Sequence, residues 1–504
     1  KKLFYYFRIF RADMNLNNHN LIIVLRTITP DELKSLKTFL SSPYFNSLSK
    51  INELFEILKK FYPEFNSDSL TSEFLFKKLY PGKIYNYSTI TNLISKMQKL
   101  IEEFLVISNI QKNPLKKNEF LIKEYFGRNL KSLSSKNIFS FSEEKSSKED
   151  IGSDFFQRSY NFDAYKVNYI LNYGLDNHKK STKILSESLL NVNVNFINYF
   201  IMELMSNYIN SIISLSSNDT YNIKPKLEKV IYDLEIEKLI KNIEPFNNYT
   251  YIINLYLKLV QAFSNLGNVE NYYSYKKALF KNKDKLNKNE LYFHYSKLIA
   301  YCSLQKDKTG NSEFQKEIFE ICQIVLDNEY YIYFASKFLP INLYKIIINS
   351  AITLEKFDWL ENFIKIYSKK VNPRLQKDAE NFGLATLNFA TGNYRDCLTN
   401  LNNIRENTFF LEIRAMKLII FYNLAYFNEG LNDLKSFQKF IRINKSFTQQ
   451  RRQTLINFLT YMDKLFLYKI SNKKSDMGYY RKKLTIEENC LYKDWLVKTY
   501  QKLK

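Results

Sequence analysis

Apolar residues in this chain recur every three or four positions, a period that belongs to the α-helix, where residues i, i+3, i+4 and i+7 share one face. Ile90, Leu93, Ile94, Met97, Leu100, Ile101, Phe104 and Leu105 keep that period through one stretch. Leu411, Ala415, Leu418, Ile419, Tyr422 and Tyr426 keep it through a second, and Leu455, Phe458, Leu459, Met462, Leu465 and Phe466 through a third. No segment shows convincingly the two-residue alternation of a half-buried strand. Helix breakers are scarce as well, with 10 glycines and 9 prolines in 504 residues and no proline after Pro373. The expected fold is therefore all-α. At this length one simple core is exceeded, so two or more helical units are expected.

The first well-marked helix opens at Ile28-Thr29-Pro30-Asp31-Glu32-Leu33. Thr29 is placed to cap it, Pro30 suits the first turn, Glu32 can reach back to the cap, and Ile28 with Leu33 forms a staple. Ser42-Pro43-Tyr44-Phe45-Asn46 reads as a turn. Helices are then expected over about 49–61, ended by Pro63, over about 72–80, closed by Pro81-Gly82, and from about Ser88 onward. Residues 14–110 thus read as a four-helix unit. Seven serines at 132, 134, 135, 140, 142, 146 and 147, among lysine and glutamate, give 111–150 the composition of a connector. A helical array is expected over 151–470 and a C-terminal helix and tail over 471–504. Residues 1–13 imitate a signal peptide, but Arg8 and Arg11 interrupt the apolar run. They precede Met14 and read as a non-native or disordered extension.

The most specific pattern is a recurring turn between paired helices. It is clearest at Gly392-Asn393-Tyr394, preceded by Leu384 and Ala385 and followed by Cys397, Leu401 and Ile404. Related turns are read at Phe357-Asp358-Trp359 and Tyr426-Phe427-Asn428, and Leu266-Gly267-Asn268-Val269 is a further candidate. This stretch resembles tetratricopeptide-like repeats, and the resemblance implies an α-solenoid of stacked helix pairs following the small N-terminal unit. The whole chain also resembles a family of bacterial all-helical proteins to which no activity is assigned. That likeness rests on Phe39 to Asn46, on Ser436 to Lys445, and on Asp494-Trp495-Leu496-Val497-Lys498. It implies architecture alone.

Basic residues exceed acidic ones by 74 to 51, a net charge of +23. Dense stretches at Lys276 to Lys288 and at Lys473 to Lys483 are separated by acidic residues, so the excess reads as a solvated surface, with a polyanion footprint as the alternative. Cys302, Cys322, Cys397 and Cys490 lie far apart without a C-x-x-C pair, which suggests neither a zinc site nor a disulfide framework and fits a reducing cytoplasm. No uncharged apolar run reaches the roughly 18 residues of a membrane span.

Catalytic and cofactor motifs are not found. The ten glycines never approach G-x-G-x-x-G or a Walker A spacing, and Gly82-Lys83 reads as a turn. His19, His178 and His294 are isolated in sequence and read as surface or packing residues. Glu102-Glu103, Glu143-Glu144 and Glu487-Glu488 are neighbours, which diverge on a helix and read as solvated faces. Cys397 occupies a small-residue position and reads as core. No catalytic, cofactor-binding or metal-binding residue is assigned. The leading expectation is a non-catalytic scaffold or adaptor for a protein or peptide partner. The alternative is a nucleic-acid-binding regulator whose helix from Ser88 imitates a helix-turn-helix reader through Lys96 and Lys99. An enzyme of unrecognised type comes third.

Overall fold

The computed structural model describes residues 15–65, 67, 69–144, 151–174, 178–215, 223–309, 312–332, 337–405, 407–444, 447, 449–471, 477–487 and 489–503. These form 24 α-helices and no strand, with one isolated bridge between Asn15 and Thr71. The chain separates into two compact units, one running to residue 146 and including Asn372–Gln376, the other comprising the remainder.

The first unit contains α1 (Asn20–Leu25), α2 (Pro30–Ser41), α3 (Ser49–Lys59), α4 (Ser72–Leu79), α5 (Tyr87–Lys112), α6 (Pro114–Gly127) and α7 (Lys131–Glu144). The cap expected at Thr29 forms in full: its hydroxyl accepts from the Glu32 amide at 3.3 Å, and its amide donates to the Glu32 carboxylate at 3.1 Å. Ile28 and Leu33 are both buried beside it. In the following turn the Asn46 amide donates to the Leu40 carbonyl at 2.8 Å, and Phe45 stacks on Phe39 at 4.2 Å. Leu36, Leu54, Leu75, Ile90 and Met97 meet in one core.

Two expectations change in this unit. Residues 14–110 hold five helices, because His19 accepts from the Leu21 amide and starts the short α1 that its sequence barely advertises. The serine-rich stretch read as a connector carries α6 and α7 over its described residues; Asn113 caps α6 at the Lys116 amide, Pro114 occupies the first turn, and Ile122 and Ile138 are fully buried. Serine composition identifies a polar surface there, and sparse apolar residues at helical spacing are enough to order it.

The second unit contains α8 (Ser153–Tyr173), α9 (His178–Leu215), α10 (Ile223–Asp233), α11 (Ile236–Ile243), α12 (Thr250–Ser264), α13 (Val269–Asn282), α14 (Lys288–Thr309) and α15 (Ser312–Asp327). It continues with α16 (Ile341–Thr353), α17 (Phe357–Tyr367), α18 (Gln376–Ala390), α19 (Tyr394–Asn402), α20 (Phe410–Asn423), α21 (Phe427–Ile443), α22 (Gln449–Ser471), α23 (Met477–Ile486) and α24 (Lys493–Gln501). Sequential neighbours pack together as pairs: α8 with α9, α12 with α13, α14 with α15, α16 with α17, and α21 with α22.

One turn geometry links α16–α17, α18–α19 and α20–α21. Each first helix ends on a left-handed residue, Glu355, Gly392 or Ala425, with φ of 54°, 81° and 62°. In each, that residue's amide bonds the carbonyl three back, and the next amide bonds the carbonyl five back: Lys356 to Ala351 at 2.9 Å, Asn393 to Asn388 at 2.8 Å, Tyr426 to Phe421 at 2.8 Å. These are Schellman turns, which satisfy the last carbonyls of a helix while reversing the chain. An aromatic residue, Phe357, Tyr394 or Phe427, then opens the second helix. The register read from sequence shifts accordingly, since Phe357 rather than Trp359, and Phe427 rather than Asn428, correspond to Tyr394. Tyr426 lies in the turn and not on α20. The Leu266 to Val269 turn does join two helices, but Asn268 caps α13 by accepting from the Glu270 amide.

Around these turns Ala385, Cys397 and Leu401 are buried, Leu384 is half-buried, and Tyr394 meets Phe389 ring to ring at 6.0 Å. Gly383 leaves no room for a side chain. A Cβ on Gly383 would lie 2.8 Å from Ile364 of α17 and 2.8 Å from the Tyr344 hydroxyl of α16, which itself donates to the Ala379 carbonyl at 3.0 Å. The C-terminal helices join the same kind of packing, with Leu484, Leu496 and Tyr500 buried against Leu465, Phe466 and Leu418.

Candidate functional site

Two places in the second unit gather chemistry beyond ordinary packing. The first is an open cleft of about 680 Å³, formed by α15 and by the Schellman turn that starts α17. Phe319 of α15 and Trp359 of α17 meet edge to face at 4.8 Å, and Trp359 stacks on Phe363 at 5.3 Å. The half-buried Trp359 therefore packs on both phenyl rings while lining the cleft. Its rim mixes charge. Lys356 lies over the Phe319 ring at 5.7 Å, Lys316 is 4.0 Å from Glu320, and Glu355 and Asp358 are exposed. Such a surface suits reversible contact with a polypeptide, since an aromatic anchor supplies area while the rim supplies polar complementarity.

The second is a buried cluster around Glu290 and His294, one helical turn apart on α14. The Glu290 carboxylate accepts from the Tyr256 hydroxyl of α12 at 2.8 Å and from the Ser153 amide of α8 at 3.3 Å. Burial pushes its carboxyl up to about 7, and the charges of Asp154 and Glu203 push the same way, against the two hydrogen bonds. His294 is fully buried, and desolvation with the nearby Lys297 charge lowers its imidazole to about 3. Its Nδ1 is 2.7 Å from the Tyr275 hydroxyl, while its Nε2 has no hydrogen-bond partner and lies 3.7 Å from Glu290 Oε2. An acid and a base whose affinities are driven apart form the electrostatic pattern of a proton-transfer site. Both side chains are buried, and neither lines the cleft at Trp359.

The other residues weighed in the sequence fall elsewhere. His19 is a helix cap, and the side chain of His178 lies outside the described residues. Gly82 has φ of 79° in a turn closed by the Lys83 amide on the Tyr80 carbonyl. Lys96, Lys99, Glu102 and Glu103 share the exposed side of α5; the side chains of Glu143 and Glu144 lie outside the described residues, as does Glu488. All four cysteines are unbridged thiols, and burial pushes Cys302, Cys322, Cys397 and Cys490 up to about 12, the reverse of an activated nucleophile. Among the described residues no group of three or more His, Cys, Asp or Glu is arranged to hold a metal ion, and no helix is long and apolar enough to cross a membrane. Neither Trp359 nor Glu290 stands out as a site residue in the sequence: the cleft needs α15 beside the α17 turn, and the cluster draws on three helices besides its own. Comparison with protein-family models, curated proteins and solved structures finds no match to this chain.

Proposed function

We propose that this chain is a non-catalytic scaffold or adaptor, whose helix pairs stack as a tetratricopeptide-like solenoid and offer a protein or peptide partner the cleft at Trp359. The observation that carries this reading is the identical Schellman turn at Glu355, Gly392 and Ala425, at separations of 37 and 33 residues in the numbering. A turn repeated at near-constant spacing lays successive helix pairs in equivalent positions, and stacking them creates an extended surface. The likeness to bacterial helical proteins belongs to the same proposal, and four unbridged thiols suit a reducing cytoplasm. A nucleic-acid reader on α5 has less support, since Glu102 and Glu103 would face phosphate beside Lys96 and Lys99.

The test is affinity purification from the native host with and without nuclease treatment, followed by direct binding of any retained protein to the purified chain. A partner that survives nuclease and loses at least about tenfold in affinity on Trp359→Ala is the expected result. A partner lost with nucleic acid, or one indifferent to Trp359, overturns the reading.

A further inference from the structure

The N-terminus of α8 is capped from across the fold. Its cap residue, Gly152, has no side chain to offer, and the Ser153 amide instead donates to Glu290 Oε1 of α14 at 3.3 Å. A Cβ on Gly152 would stand 3.0 Å from Glu290 Cγ and Oε1, so the missing side chain is what lets the carboxyl in. Its second oxygen receives the Tyr256 hydroxyl of α12 at 2.8 Å. One carboxyl thereby ties α8, α12 and α14 together.

We propose that Glu290 is a proton-operated latch: protonated, it holds the first turn of α8 in place, and loss of its proton releases that turn. An ionised carboxylate here would be buried without a cation. Lys297 Nζ bonds Asn210 Oδ1 and lies 4.9 Å from the Phe293 centroid, and the other charges acting on Glu290 are the anionic Asp154 on α8 and Glu203 on α9. Tyr256 on α12 and Tyr275 on α13 are phenols that burial keeps protonated. The neutral acid, in contrast, needs no cation. Its carbonyl oxygen accepts from Ser153, and its hydroxyl oxygen, Oε2, accepts from Tyr256 and lies 3.7 Å from His294 Nε2. That arrangement has Nδ1–H donating to Tyr275, and Tyr275 donating to the His294 carbonyl at 3.4 Å. The partnerless buried Nε2 is then an acceptor facing a donor.

The sign follows from the carboxyl being held up to about 7 when closed against an ordinary value of 4.5 once solvated. The closed turn is fully favoured below the ordinary value and loses that advantage as pH rises toward about 7, levelling beyond it. His294, deeper and wholly buried, stays neutral through this local opening. Release exposes Phe155 and Phe156, which pack on Tyr249 at 5.2 and 5.3 Å.

Hydrogen exchange of the full chain, read at the first turn of α8 and corrected for intrinsic rates, tests this between pH 5 and 8. Opening should increase by up to about tenfold per pH unit until near pH 7 and then level off. Glu290→Gln, which keeps an acceptor for Ser153 and cannot ionise, should flatten the curve. Asp154→Asn, which removes a neighbouring negative charge, should move the plateau to lower pH, and serves if the glutamine variant does not fold. A flat wild-type curve, or a curve for Glu290→Gln as steep as wild type, overturns the latch; an unmoved plateau in the asparagine variant does the same. None of these outcomes bears on partner binding at Trp359.

Discussion

Gly430 and Ala385 show how differently a small residue can be required. A Cβ at Gly430 would stand 2.4 Å from the Phe466 ring, so α21 meets α22 through that absent side chain. Overpacking costs about 1–3 kcal/mol, and the gain in helix propensity returns about 1, so Gly430→Ala should destabilise by up to about 2 kcal/mol. Ala385 is fully buried at the α18–α19 turn. Ala385→Arg would force a charge and excess volume inward and should cost about 3 kcal/mol or more, against less than about 0.5 for the exposed Arg395→Ala. Chemical unfolding of the variants measures all three; equal effects at 385 and 395 would remove the packing account of this turn. Thiol chemistry gives an independent check on the same interior. With every thiol held up by burial, labelling at pH 7 should be slow throughout and begin at the half-buried Cys490. Rapid modification of Cys302 or Cys397 in the folded chain would contradict their buried placement.

At the scale of the element, the three Schellman turns make a reciprocal prediction. A left-handed residue with a Cβ costs about 1–2 kcal/mol, partly offset because glycine loses more freedom on folding. Gly392→Ala should therefore lose about 1 kcal/mol and Ala425→Gly gain about as much, read as opposite shifts in the denaturation midpoint. The structure places open space around Gly392, so sterics beyond its own backbone do not enter. These turns also mark how far the sequence can be read. Thr29 with Glu32, and Gly392 with Asn393, announce themselves because capping is written in adjacent residues. Glu355 and Ala425 adopt the same left-handed geometry without a glycine, imposed by the helices they join, and so the register read from sequence falls one or two residues off. For α6 and α7 composition points to a connector, since helix formation there depends on a few residues such as Ile122 and Ile138. His294 is legible only as a packing residue: Glu290 at i−4 shares its face, but Tyr256, Tyr275 and the Ser153 amide arrive through tertiary folding.

For the whole molecule the dominant quantity is a net charge of +23, and its arrangement decides what that charge can do. Many of the individual cations are held by local partners, although the excess itself exceeds the carboxylates available. Lys77 pairs with Glu73, Lys123 with Glu119 and Arg128 with Glu124 along single helices, while Lys112 reaches Glu32 of α2 and Lys345 reaches Glu412 of α20. Inside the dense 276–288 stretch, Lys276 is bound to Glu317 and Lys285 lies over the Tyr251 ring at 5.0 Å. Cations committed to carboxylates and rings release fewer counterions when they meet a phosphate backbone. The excess should therefore draw nucleic acid weakly, without sequence preference and in a salt-dependent way. Binding of an unrelated duplex, followed by fluorescence anisotropy, should disappear between about 50 and about 200 mM salt. Lysine-to-glutamine changes scattered over the surface should each weaken it by similar small amounts, as a diffuse field requires. Tight binding that persists at the higher salt and concentrates its loss in a few positions, such as Lys96 and Lys99, would mean that a built phosphate-reading face exists, and would put the regulator ahead of the scaffold.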